Sequence, residues 1–206
     1  MKIMDFDNPP DNPFAVFEAW YEDAKASEIN DPNAMSLATV GANMQPNLRT
    51  VLLKGHDERG FVFYTNLQSQ KGQELASNPR AALNFHWKSL QRQVRILGPI
   101  EPVSDAEADA YYHSRARESQ IGAWASQQSQ PIADRATLER VLQETTDKFG
   151  NIEVIPRPPH WSGRRVVPET IEFWQDGDFR IHDRVVYQSD ADPSSSQRWS
   201  KQRLNP

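Results

Sequence analysis

Three basic side chains, Arg180, His182 and Arg184, occupy alternate positions in the segment Glu172-Phe-Trp-Gln-Asp-Gly-Asp-Phe-Arg-Ile-His-Asp-Arg184. The segment reads as a strand, a turn on Asp176-Gly177-Asp178 and a second strand. That geometry projects the three cations from one side and turns Ile181 and Val185 toward a core. Adjacent cations repel one another unless an anion lies across them, and phosphate oxygens match guanidinium forks. The competing reading is a solvated strand face that happens to be basic.

Other clusters repeat the theme. A capping box on Ser104 and Glu107 starts a helix at Asp105, and Tyr111, Arg115 and Ser119 share one face if that helix persists. A phenol, a guanidinium and a hydroxyl can grip a phosphate monoester, although an ordinary polar helix face has the same composition. Lys71 follows Ser69-Gln70 at a predicted helix start, where free N–H groups favour anions. Arg49 and Lys54 have opposite parity on one strand, so they serve different groups or frame two ends of a site. Gln91, Gln93 and Arg95 alternate on another strand, and amides suit the edge of a heterocycle.

Composition narrows the chemistry. The chain has 206 residues, no cysteine and a net charge of -5. The charge disfavours nucleic acid and anionic membranes as partners, so the local basic clusters fit small anions. Thiolate chemistry and disulfides are excluded. The five histidines show no metal-ligand spacing, no metal is expected, and no Gly-x-Ser-x-Gly nucleophile motif occurs. No apolar run reaches the length of a membrane span and Met1–Asp5 lacks a signal peptide's apolar stretch, so a cytoplasmic location is expected. Phosphate grips and aromatic surfaces without a metal or nucleophile point to a bound organic cofactor.

The elements that must position these groups are short. Residues 1–12 are rich in turn formers and read as a mobile arm, and residues 13–206 as a single domain. A helix is expected over 13–29, capped by Asn12 with Pro13 first. Strands are expected over 34–40, 47–54, 60–65, 81–87, 91–99, 164–167, 170–174, 179–187 and 199–204. Helices fall at 69–77, from 105, and over 133–149 with Leu138, Val141, Leu142 and Phe149 as its apolar stripe. The polar loop from Ser189 to Gln197 is expected to be disordered at its tip. Many short strands with helices between them predict a mainly β fold, an antiparallel, Greek-key-like barrel flanked by helices.

Several motifs occur together and in order: Arg49-Thr-Val-Leu-Leu-Lys54, Phe63-Tyr-Thr-Asn66, Ser69-Gln-Lys71, Arg92-Gln-Val94 and Tyr112-His-Ser-Arg115. They continue with Ser119-Gln-Ile-Gly-Ala-Trp-Ala-Ser126, Gln128-Ser129, Pro158-Pro-His-Trp161, Ile171-Glu-Phe-Trp-Gln175, Arg180-Ile-His-Asp-Arg184 and Arg203-Leu204. On these motifs the chain, from about Ala34 to Pro206, closely resembles the pyridoxamine 5′-phosphate oxidase family. The resemblance implies an FMN-binding split β-barrel working as a homodimer, with FMN at the subunit interface and a C-terminal dimerisation and substrate region. It implies FMN contacts from Arg49, Tyr64, Thr65, Gln70, Lys71, Gln93, Gln128, Ser129, Trp174 and Arg184. The substrate phosphate would be gripped by Lys54, Tyr111, Arg115 and Ser119, while Arg180 and His182 hold the pyridine ring beside the flavin as the catalytic pair.

The implied chemistry is hydride removal from the 4′ carbon of pyridoxamine or pyridoxine 5′-phosphate, with dioxygen as final acceptor. The products are pyridoxal 5′-phosphate, hydrogen peroxide and, from the amine, ammonia. One departure stands out: the family often has arginine where this chain has Gln70. A neutral donor in place of a charged one loses roughly 1 kcal/mol, so a somewhat looser hold on FMN is expected. The same Gln-Lys pair occurs in related flavin oxidases of phenazine biosynthesis. That makes a same-fold oxidase of another substrate one alternative; a non-catalytic flavin or pyridoxal phosphate carrier is another.

Overall fold

The structure, a computed structural model, describes residues 4–190 and 199–206. The loop expected from Ser189 to Gln197 therefore lies mostly outside the described residues.

Helix α1 (Pro13–Ser27) starts where expected, with the Asn12 side chain accepting the Phe14 N–H at 2.9 Å. Val16, Phe17, Trp20 and Ala24 recur at helical spacing and are buried. Each large apolar side chain buried there contributes about 1.5–3 kcal/mol, which fastens the helix over the barrel.

Ten strands follow among the described residues: β1 (Ala34–Val40), β2 (Pro46–Leu52), β3 (Gly55–Asp57), β4 (Gly60–Asn66), β5 (Arg80–Trp87), β6 (Arg92–Pro102), β7 (Trp161–Val166), β8 (Thr170–Gln175), β9 (Asp183–Ser189) and β10 (Trp199–Arg203). All pairings are antiparallel, and the main path runs β10-β9-β8-β6-β5-β1-β2. Strand β6 is where the barrel splits. Arg92 to Leu97 pair with β8, whereas Ile100 to Pro102 pair with β7, which continues to β4 and β3. Gly98 sits at this change of partner, where a Cβ would lie 1.8 Å from the Val167 carbonyl oxygen. Only glycine permits that approach. Alternate residues of each strand, such as Leu37, Leu83, Val94, Ile96, Phe173 and Val185, fill one core with Phe17, Phe61 and Phe63.

Helix α2 (Gln70–Ser77) follows β4, capped by Ser69. Helices α3 (Asp105–Ser114), α4 (Arg117–Ala125) and α5 (Arg135–Phe149) lie between β6 and β7. Only Phe149 of the α5 stripe is buried; Leu138 and Leu142 remain exposed because α5 packs mainly on α4.

Two expectations need correction. Residues 179–182 do not belong to a strand. Phe179 and Arg180 adopt φ of 57° and 67° in a short 3-10 turn, and β9 begins at Asp183. Ile181 consequently is exposed and does not face the core. The helix after Ser104 breaks at Arg115, whose ψ of 151° is extended, so Tyr111, Arg115 and Ser119 do not share one helix face. Within residues 4–12, expected as a mobile arm, several groups contact the rest of the chain. Phe6 is buried against Trp20, Tyr187 donates to the Pro10 carbonyl, and Lys201 and Arg203 pair with Asp11 and Asp7.

Candidate active site

A cavity of about 710 Å3 opens between β2, β4, α2 and the α3–α4 corner. That size lies within the roughly 300–1,000 Å3 typical of organic-ligand sites. Arg49, Lys54, Tyr64, Thr65, Lys71, Tyr111, Arg115, Ser119, Gln128 and Trp161 all line it. Thus the broken helix still delivers its phenol, guanidinium and hydroxyl to one space, because the chain turns at Arg115 and wraps them around it.

One end holds Lys71 and Arg49. Lys71 is 9% exposed, and its Nζ donates to Gln128 Oε1 at 3.0 Å, which also accepts from Thr65 Oγ1 at 3.3 Å. Lys71 makes no ion pair among the described residues. Burial, helped by the Arg49 charge, lowers its pKa, while Glu74 opposes the shift. The Arg49 guanidinium donates to the Leu37 carbonyl, to Thr39 and to the Glu74 carboxylate.

The other end is aromatic and cationic. Tyr64 stacks on Tyr111 with centroids 4.0 Å apart and on Trp161 at 5.2 Å. Burial pushes the Tyr64 phenol up to about 12, so it is a neutral donor at physiological pH. Gly163 permits this stack, since a Cβ there would lie 2.8 Å from the Tyr64 ring. The Arg115 guanidinium lies 4.8 Å from the Trp161 ring centre, a favourable cation–π position. Its Nη1 is buried with no hydrogen-bond partner, and burial lowers the pKa. A half-buried guanidinium with one buried, unpaired nitrogen costs free energy that an incoming anion would recover.

The remaining sequence-derived residues lie elsewhere. Register places Gln93 opposite Trp174 and Trp174 opposite Arg184, a row across β6, β8 and β9 on the face away from the core. Glu172, on the same face and itself buried, accepts from Arg184 at 2.8–2.9 Å and from Arg95 at 2.9 Å. His182 packs on Trp174 at 4.7 Å and its Nδ1 lies 2.9 Å from the Asp176 carboxylate. Arg180 is exposed. None of Gln93, Trp174, Arg180, His182 and Arg184 lines the cavity, and neither do Ser129 or Gln70. Gln70 is exposed. Trp161 belongs to the Pro158-Pro-His-Trp161 motif without a role that the sequence assigns, and nothing in the sequence around Glu74 marks it as a site residue. Among the described residues no group of three or more potential ligands could hold a metal ion, and no helix is long and apolar enough to cross a membrane.

Residues 21–149 match the family described as "Pyridoxamine 5'-phosphate oxidase". The chain belongs to the pyridoxamine 5′-phosphate oxidase family. Residues 161–206 match a second description, "Pyridoxine 5'-phosphate oxidase C-terminal dimerisation region". Pyridoxine/pyridoxamine 5'-phosphate oxidase of Caulobacter vibrioides is 59% identical over 196 residues, covering 95% of this chain and 86% of that one. The protein of the same name from Mesorhizobium japonicum is 58% identical over 194 residues, covering 94% and 92%. Among solved structures, PhzG from Burkholderia lata 383 in complex with tetrahydrophenazine-1-carboxylic acid superposes with a TM-score of 0.90. It is 28% identical and covers 100% of this chain and 98% of that one. Membership of this oxidase family implies a flavin cofactor. Lys71, without an ion pair among the described residues, and Arg49, beside the N-terminus of α2, fit the phosphate end of such a group.

Proposed function

We propose that the protein is an FMN-dependent oxidase of pyridoxine and pyridoxamine 5′-phosphates, acting as a homodimer with each site shared between subunits. The observation that carries the substrate assignment is the unpaired, buried Nη1 of Arg115 in a cavity that also presents Lys54, Tyr111 and Ser119. One cation set, Arg49 with Lys71, then remains for the phosphate of FMN, and a separate one, Lys54 with Arg115, for the phosphate of the substrate. Two phosphorylated ligands need two such sets. The carboxylate ligand of the phenazine-type neighbour requires no phosphate grip of this kind, and the relatives at 58–59% identity weigh on the same side.

Sharing between subunits is supported by what the cavity lacks. Trp174, Arg180, His182 and Arg184 fall within the matched dimerisation region, and none lines the cavity of its own chain. A second copy brings them across, placing Arg180 and His182 over the pyridine ring and Trp174 and Arg184 against FMN.

Bound FMN supplies the acceptor for the two electrons that dioxygen finally takes up as hydrogen peroxide. The protein's own residues hold the substrate. Lys54, Arg115, Tyr111 and Ser119 fix its phosphate, Arg180 and His182 orient the ring, and the 4′ carbon is thereby aimed for loss of hydride. The alcohol or amine on that carbon loses a proton. From the amine, water then releases ammonia and leaves the aldehyde. Positioning of this kind supplies much of the rate when the cofactor performs the electron chemistry.

The test is anaerobic mixing of the FMN-loaded protein with each phosphorylated substrate, with unphosphorylated pyridoxine as control. Loss of the flavin's visible absorbance, reversed by air with peroxide formed, is expected. Persistent colour with both substrates overturns the oxidase reading and leaves a carrier.

Lys71 predicts a pH dependence. Phosphate binding favours the charged lysine, so affinity is full below the free protein's lysine pKa and falls as pH rises through it. Burial and the Arg49 charge depress that pKa below 10.5, so FMN affinity should begin to fall at a lower pH than for an ordinary lysine. Titrations of FMN at rising pH should show this fall, and Lys71→Arg should remove it. An affinity unchanged up to pH 10.5 would contradict the role.

A further inference from the structure

We infer that Glu74, which lines no part of the cavity, is a positioning residue of the cofactor site: its carboxylate fixes the Arg49 guanidinium in the orientation that receives the flavin phosphate. This rests on the reading of Arg49 and Lys71 as the phosphate end of the FMN site.

Glu74 lies on α2 and is 8% exposed. One carboxylate oxygen accepts from Thr39 Oγ1 at 2.5 Å and from Arg49 Nη2 at 3.2 Å, and the other accepts from Asn47 Nδ2 at 2.5 Å. Thr39, itself buried, accepts from Arg49 Nη1 while donating to Glu74, which closes a ring of three side chains. The Leu37 carbonyl holds Nη1 from the strand side at 3.2 Å. Among the described residues the Arg49 Nε has no partner. The guanidinium is thus pinned by Nη1 and one Nη2 hydrogen, leaving Nε–H and the other Nη2 hydrogen as a two-pronged edge for phosphate.

Electrostatics alone gives no reason for a carboxylate here. A buried negative charge between two cations reduces their pull on an anion, and burying it is costly unless it is well paired. What Glu74 adds is geometry. An arginine side chain has several rotatable bonds, and the carboxylate removes that freedom before the ligand arrives, lowering the ordering cost of binding. The carboxylate and Lys71 are three residues apart on the same short helix, so α2 carries one cation of the site and the group that orients the other.

The experiment is titration of flavin-free protein with FMN and, separately, with riboflavin, which lacks the phosphate. Glu74→Gln is expected to weaken FMN about tenfold while changing riboflavin less than about twofold, the loss of one charge-assisted contact. In an Arg49→Ala background the same change should produce no further loss, as coupled residues do in a double-mutant cycle. If the amide variant is too unstable to titrate, Glu74→Asp keeps the charge but shortens the reach, and the loss should again be confined to FMN. Equal losses for the two flavins would make Glu74 a structural clamp only. Additive losses in the double variant, or tighter FMN binding by Glu74→Gln, would equally overturn the inference. An unchanged FMN affinity in Arg49→Ala alone would instead show that the underlying assignment of Arg49 fails, and the inference with it.

Discussion

Replacing Arg115 by alanine is expected to raise the KM for pyridoxine 5′-phosphate by about 10- to 150-fold, with a smaller change in kcat. Each charge-assisted hydrogen bond contributes roughly 1.5–3 kcal/mol, which converts to that range. Arg115 has no carboxylate partner among the described residues, and its buried Nη1 is unpaired, so the substitution strands no buried anion and should leave the fold intact. Its planar group lies against Trp161, which holds the fork in place without consuming its hydrogen-bond donors. The loss should therefore appear in substrate binding and hardly at all in FMN affinity, because Arg49 and Lys71 are untouched. Steady-state kinetics with phosphorylated substrate, paired with a flavin titration, separates the two. An unchanged KM would remove the phosphate grip and with it the main support for the B6 substrate.

Arg180→Glu should lower kcat/KM by at least about 100-fold, since inverting a charge that pairs with a bound ligand costs several kcal/mol. The side chain is exposed on its own chain and lies in a turn rather than a strand, so dimer mass and thermal stability should stay near wild type. Activity measured together with sedimentation tests both halves of the statement; normal turnover would refute the assigned role. Co-expression extends the test to the sharing of sites. In a hybrid dimer of one Arg115→Ala chain and one Arg180→Glu chain, one site carries both defects and the other carries neither. With random pairing about half of the dimers are hybrids, so about a quarter of wild-type sites should return. If both residues acted within one chain, the mixture would be as inactive as its components.

The left-handed backbone at Phe179 and Arg180 has a bearing on this second result. Non-glycine residues in that region cost of order 1–3 kcal/mol each and persist where the surroundings hold them. The turn leaves Arg180 exposed and packs His182 on Trp174. A straight strand would have pointed Ile181 into the core and kept the two basic groups on the sheet's face.

The residue types and their order were sufficient to recognise the family and the split barrel, because motifs such as Arg49-Thr-Val-Leu-Leu-Lys54 and Arg180-Ile-His-Asp-Arg184 are local and survive any uncertainty about element boundaries. Asn12 and Ser69 marked their helix starts through short-range hydrogen bonds, whereas Lys54 lies beyond the end of β2, so strand parity does not relate it to Arg49. Tertiary structure decided the rest. Neither Phe179 nor Arg180 favours a left-handed conformation, and no proline or glycine announces the break at Arg115, so both departures come from long-range packing rather than local preference. Glu74 is invisible as a site residue in the sequence, since only the pairing of β1 with β2 and the docking of α2 bring it to Thr39, Asn47 and Arg49. Which side chains meet in one cavity, and which face away from it, depends on how strands distant in sequence pair and on which face of the sheet is left uncovered.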